Sequence, residues 1–143
     1  MSLLSAQDEQ VLAKHLEPID KPVTLLLFTQ AIGGTESATV TRQVLDEVAR
    51  LNDKVAVVEK SFVLDMDERS KYSVDKSPAI VFLSDGQDTR MRMYGAPTGY
   101  EFVGLVEAIL IAGTGKADLE EATLKLLAGQ STPTHIQVFS TPT

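Results

Sequence analysis

Apolar residues follow two rhythms along this chain, and their alternation predicts an α/β protein. Val11, Leu12, Leu16 and Ile19 recur at helical spacing behind Ser5-Ala-Gln-Asp8, a capping-box pattern with Asp8 replacing the usual Glu or Gln. Pro18 and Pro22 help to end that helix. Val23-Thr-Leu-Leu-Leu-Phe28 is apolar without alternation, as expected of a central strand buried on both faces. The polar, glycine-containing stretch from Thr29 to Thr35 makes a turn. A helix follows from Glu36 to Leu51, with Val40, Val44, Leu45, Val48 and Leu51 inward, and Asn52-Asp53 ends it. Val55-Ala-Val-Val58 is the next strand, which completes a βαβ unit with a parallel, right-handed crossover.

Asp65 is placed to cap a short helix through about Tyr72, and Ala79-Ile-Val-Phe-Leu83 is a third strand. Asp85-Gly86 forms a turn into a fourth strand, Met91 to Tyr94, antiparallel to the third. There Met91 and Met93 alternate with Arg90 and Arg92, giving one buried and one wet face. A helix runs from about Tyr100 to Ile111, with Phe102, Leu105, Val106, Ile109 and Leu110 inward and Gly113 and Gly115 stopping it. Asp118 caps a last helix, Leu119 to Ala128. Beyond it, His135-Ile-Gln-Val-Phe139 has the character of another strand, expected to open a second unit.

Composition narrows the function classes. With 143 residues, 43% of them apolar, the chain can bury one core. Its 13 basic and 20 acidic residues give a net charge of −7, with no basic stripe to neutralise phosphates, so nucleic acid is not an expected partner. The longest nearly apolar stretch, Phe102 to Ala112, carries Glu107 and is too short for a bilayer. Asp8 and Glu9 stand where a secretory leader would be basic, so a cytoplasmic protein is expected. The absence of cysteine removes disulfides, thiolate metal sites and thiol chemistry together.

Candidate chemistry is sparse. Gly33 and Gly34 precede a helix, but no Gly-Lys-Ser/Thr follows, so a structural turn is expected, with Thr35 or Ser37 as the N-cap. Asp65, Asp67 and Glu68 lack the spacing and the central glycine of a calcium loop and are read as a solvated helix start. His15 and His135 are 120 positions apart, with no ligand pattern around either. Neither a metal nor a cofactor is expected.

The order β-α-β-α-β-β-α, preceded by an extra helix, resembles the thioredoxin fold. Val74-Asp-Lys-Ser-Pro-Ala-Ile-Val-Phe82 is similar to the loop that carries that fold's cis-proline, which would place it at Pro78 beside Ser77. The residues alone leave open a trans proline that starts a strand. Tyr94-Gly-Ala-Pro-Thr-Gly-Tyr-Glu-Phe102 resembles the Gly-x-Pro-x-Gly-His-Glu-Phe stretch in the first unit of the tandem, glutaredoxin-like protein disulfide oxidoreductases. Tyr100 stands where that family more often has histidine, and its ring is expected at the core edge. Ala49-Arg-Leu-Asn-Asp-Lys-Val55 is similar to that unit and to its relative, the N-terminal domain of the large alkyl hydroperoxide reductase subunit.

The resemblance implies a central four-stranded mixed sheet flanked by helices, with residues 1–130 as a thioredoxin-like domain. Residues 131–143 would be the linker and first strand of a second such unit, with Cys-x-x-Cys expected after residue 143. In a redox-active unit such a pair sits at the start of the long helix. Here it would fall at Gly34 and Ser37, or at Thr35 and Ala38, and neither alternative offers sulfur. The resulting expectation is a redox-inactive domain that supports the active unit of a thiol-disulfide oxidoreductase. Two alternatives stand beside it: the N-terminal domain of a flavin-dependent peroxiredoxin reductase, and a stand-alone protein-binding module. The implied partners are the second thioredoxin-like unit and protein or peptide thiol-disulfide substrates, with a homodimer as a further alternative. A groove beside Pro78 is a candidate for holding extended chain.

Overall fold

The computed structural model describes residues 2–141, and its first element shows how short sequence signals act. Helix α1, Ala6–Leu16, begins at a reciprocal capping box in which the Ser5 side chain accepts from the Asp8 amide and the Asp8 side chain accepts from the Ser5 amide. It stops at Leu16, one turn earlier than the apolar spacing implies; Glu17 keeps helical backbone as the C-cap, and Pro18 has no amide with which to extend the hydrogen-bond ladder. Leu12, Leu16 and Ile19 are buried, whereas Val11 is exposed.

Strands β1 (Val23–Thr29), β2 (Val55–Ser61), β3 (Ala79–Ser84) and β4 (Gln87–Tyr94) form one sheet in the order β2-β1-β3-β4. The β1–β2 pair is parallel, with Val23 opposite Val55, and β3 runs antiparallel to both β1 and β4. Helix α2, Glu36–Ala49, makes the crossover from β1 to β2. Asp85 and Gly86 both have positive φ, the backbone a two-residue hairpin requires. Strand β4 starts four residues before the predicted Met91, with an irregularity in register between Val81 and Leu83. Backbone pairing across the hairpin recruits Gln87 to Arg90, which carry no apolar signal of their own.

Alternation along β1 divides the core. Leu25 and Leu27 pack with Val44, Leu45 and Val48 of α2 and with Leu105, Val106 and Ile109 of α4 (Glu101–Thr114). Leu26 and Phe28 face the other layer, with Tyr72, Val74, Val81 and Phe62, beside the short α3, Met66–Lys71. This is why β1 shows no polar alternation: both its faces are covered. Full burial of a side chain such as Phe28 or Leu45 stabilises the fold by roughly 1.5–3 kcal/mol.

Helix α4 continues through Gly113 and ends at Gly115, whose φ of 67° supplies the left-handed cap. Helix α5, Glu121–Ala128, starts two residues later than predicted, with Glu120 rather than Asp118 at its N-cap. The predicted strand His135–Phe139 does not form: those residues carry no regular structure, and Ile136, Val138 and Phe139 are 81%, 85% and 89% exposed. A strand needs a hydrogen-bonding neighbour, and no described strand pairs with this run. Pro142 and Thr143, at the end of the predicted 131–143 segment, lie outside the described residues.

Candidate functional site

One end of the sheet gathers most of the residues singled out by sequence. Phe28 pairs with Ala79 and Ala79 with Tyr94, so the turn after β1, the Ser77-Pro78 segment and the Tyr94-Gly95 corner meet there. The Phe62 amide donates to the Thr29 carbonyl at 2.8 Å and brings in the loop after β2.

At this end α2 begins. Thr35 is the N-cap, with extended backbone (φ −86°, ψ 158°), but its hydroxyl meets the Ser37 hydroxyl and makes no side-chain bond to the helix backbone. The Ala38 amide donates to the Thr35 carbonyl at 2.9 Å. Gly33 turns through a φ of 73°. At Gly34 a Cβ would stand 2.1 Å from the Gln30 carbonyl oxygen, a separation that no side chain tolerates. The two registers in which a Cys-x-x-Cys pair would fall therefore differ physically. Thr35 and Ala38 carry side chains at the helix start, whereas Gly34 has no room for one. Gly34, Thr35 and Ala38 line an open groove of about 950 Å³ along α2, together with Thr29, Gln30 and Arg42.

Ser77 and Pro78 lie outside that lining. Their peptide bond is cis, Pro78 is buried, and the Ser77 hydroxyl donates to the Phe28 carbonyl at 3.4 Å. A short chain of hydrogen bonds joins them to α2. The Gly95 amide donates to the Pro78 carbonyl at 3.0 Å, and the Thr41 hydroxyl lies 3.4 Å from the Gly95 carbonyl and donates to that of Ser37 at 2.6 Å. Thr41 is completely buried.

Three charged groups of the groove, Arg42, Asp46 and Glu59, are paired with one another. Arg42 bonds to Asp46 and Glu59, each at 2.7 Å, and Glu59 also accepts from the Thr29 hydroxyl at 2.6 Å. The Asp46 carboxylate, and less so Glu59, hold the Arg42 guanidinium above its ordinary value against partial burial. Such an arrangement leaves the helix start polar, with alcohols where thiol chemistry would need sulfur.

Sequence reading missed Glu47. It is 6% exposed, and its carboxylate accepts from the amides of Leu3 and Leu4 and from the Ser2 hydroxyl at 2.8–3.1 Å. Burial pushes this carboxyl up, but the Leu3 amide, Gln43, the Leu4 amide and Ser2 outweigh it and hold the group below the usual value. The available signal was a charge at helical spacing with Val40, Val44 and Leu51, on an otherwise apolar stripe.

The remaining candidates do not converge. Asp65 is the N-cap of α3, yet its carboxylate accepts from the Ser61 amide at 2.6 Å instead of capping the helix, while Glu68 pairs with Lys60. His15 and His135 are both exposed, and no cluster of three or more potential metal ligands occurs among the described residues. Tyr100 is 81% exposed rather than packed at the core edge, since it precedes the inward stripe of α4 by two residues. No helix among the described residues is long and apolar enough to cross a membrane.

No family model matches this chain. The alkyl hydroperoxide reductase AhpF of two Staphylococcus epidermidis strains is 25% identical over 138 residues, covering 96% of this chain and 24% of that protein. The N-terminal domain of AhpF from Enterococcus faecalis superposes with a TM-score of 0.77 at 27% identity, over 85% of this chain and 58% of that one. The chain is a thioredoxin-fold unit homologous to that N-terminal domain. It spans about a quarter of the length of the curated relatives it matches. A protein disulfide oxidoreductase from Aeropyrum pernix shares the fold, with a TM-score of 0.74 over 87% of this chain and 54% of that one, at 24% identity.

Proposed function

We propose that this chain is the cysteine-free thioredoxin-like unit in the N-terminal region of a flavin-dependent peroxiredoxin reductase. There it supports and orients a neighbouring unit that carries the Cys-x-x-Cys pair. The observation that carries this reading is the alignment of 96% of the chain with the alkyl hydroperoxide reductase AhpF, of which it covers 24%. The alternative of a tandem protein disulfide oxidoreductase rests on shared fold and yields to it.

Two physical features favour this supporting, non-catalytic role. The helix start that would hold a thiolate has Thr35 and Ala38, so electrons cannot pass through it by disulfide exchange. The apolar tail residues Ile136, Val138 and Phe139 are exposed together, and a neighbouring sheet that accepted them as a strand would bury them. Ile32 and Leu64, on adjoining loops at the Pro78 end, offer a second apolar contact.

The test is a reductase carrying this unit, compared with a version lacking residues 1–130. NADH-dependent flavin reduction should persist while electron transfer to the peroxiredoxin falls. Unimpaired transfer, or a parent protein that binds no flavin, overturns the reading.

A further inference from the structure

We propose that Ser2–Leu4 is a strap latched by Glu47, and that it sets the stability of the loop that braces Pro78. The role of the strap does not depend on the reductase reading.

Among the described residues, no cation pairs with the latch carboxylate. A buried carboxylate in a helix would ordinarily be matched by one, yet the hydrogen bonds to Glu47 come from the amides of Leu3 and Leu4, the Ser2 hydroxyl and the Gln43 side-chain amide. Charged acceptors bind amides more strongly than neutral ones, so one side chain holds a segment with no secondary structure of its own.

The strap also closes a cavity. Leu3, Leu4, Val44 and Glu47 form one side of a pocket of about 280 Å³, and Pro97, Thr98, Gly99 and Phe102 form the other. Leu4 packs partly against the main core beside it. The far wall is continuous with Gly95, whose amide binds the Pro78 carbonyl and whose carbonyl lies beside the Thr41 hydroxyl. Strap, pocket, loop and Pro78 thus form one physical series. When the strap lifts, the pocket loses one side, and Val44, Phe102 and the 97–99 segment that line it open to solvent. The Gly95–Pro78 hydrogen bond then opens more often.

The experiment is amide hydrogen exchange, resolved by residue, on the full chain and on Glu47→Gln. Glutamine keeps the shape but turns one acceptor into a donor facing other donors. The Leu3 and Leu4 amides should exchange about tenfold faster or more, as local opening replaces a charge-assisted bond. The Gly95 amide should also accelerate, while the amides of β1 keep their protection. Unchanged exchange at Leu3 and Leu4 overturns the latch, and unchanged exchange at Gly95 overturns its coupling to the Pro78 loop. Deletion of Ser2–Leu4 leaves Glu47 intact and must reproduce the Gly95 effect. If both variants lower protection throughout β1 equally, the segment is general packing and the proposal fails.

Discussion

Gly113 approaches Ile19 so closely that a Cβ on the glycine would lie 2.7 Å from Ile19 Cγ2 and 2.8 Å from Cγ1. Val23 Cγ2 closes the same corner at 3.1 Å, and the Gly113 carbonyl accepts from the amides of Asp20 and Lys21. The C-terminal end of α4 is therefore fixed against the entrance to β1 on three sides. Gly113→Ala should destabilise by about 1 kcal/mol, because overpacking a rigid corner exceeds the gain in helix propensity. Gly104→Ala, in the same helix, meets only Met93 Cε at 3.7 Å and should stabilise by about 0.5–1 kcal/mol. Urea unfolding of both variants decides the matter, and equal signs would refute the packing account.

The start of α2 should accept a redox pair in one register and refuse it in the other. In a Thr35→Cys/Ala38→Cys variant the first thiol sits at the N-cap, where unpaired amides and the helix dipole favour a thiolate. Its pKa, read from the pH dependence of alkylation, should fall below the free value of about 8.5. Gly34→Cys should instead lose about 1–3 kcal/mol, since its Cβ would meet the Gln30 carbonyl at 2.1 Å. A stable, reactive thiol at position 34 would show that the loop is softer than its geometry indicates.

Much of this architecture was legible because local pattern and tertiary position agree. The unalternating run from Val23 to Phe28 is buried on both faces, and the stripe through Val44, Leu45 and Val48 is the inner face of α2. Departures arise where a distant neighbour decides the outcome. Gly113 reads locally as a helix stop, but it is a packing glycine inside α4, chosen by Ile19 more than ninety positions earlier. Gln87 to Arg90 become strand through pairing with β3, although they lack an apolar rhythm. His135–Phe139 has the rhythm of a strand and no strand partner among the described residues, so the pattern alone cannot make one. At the candidate site, loop length left two registers open, because the obstruction at Gly34 comes from a backbone carbonyl that no side-chain pattern encodes.

Acid should remove one contribution from the β4 edge. Arg92 binds Asp88 through two nitrogens, each at 2.8 Å. The Arg92 guanidinium, and behind it the Arg90 amide, hold the Asp88 carboxyl below its ordinary value against partial burial. With the folded value below the unfolded one, about 3.9, the stabilisation is fully present above that pH and disappears as pH falls through the folded value. Both partners are partly exposed, so the effect is about 1 kcal/mol or less. Asp88→Asn should therefore be the less stable protein at neutral pH, with the gap closing at strongly acidic pH. A gap that widens on acidification would contradict the pairing.

Removal of the tail should leave the domain intact. Residues 131–141 are exposed throughout and contribute nothing to either core cluster. The Ser140 hydroxyl touches the body at the Glu101 carboxylate, a surface hydrogen bond at the first turn of α4. Surface contacts of this kind change stability by about 0.5 kcal/mol or less, so a chain ending at Gln130 should unfold at nearly the same urea concentration as the full chain. The apolar residues of the tail make a second, independent measurement informative. If Ile136, Val138 and Phe139 engage a neighbour, removing them should abolish any self-association of the full chain at high concentration without altering its unfolding midpoint. A large drop in the midpoint would instead mean that the segment packs against residues 2–130 in solution, and that the body of the domain extends past α5.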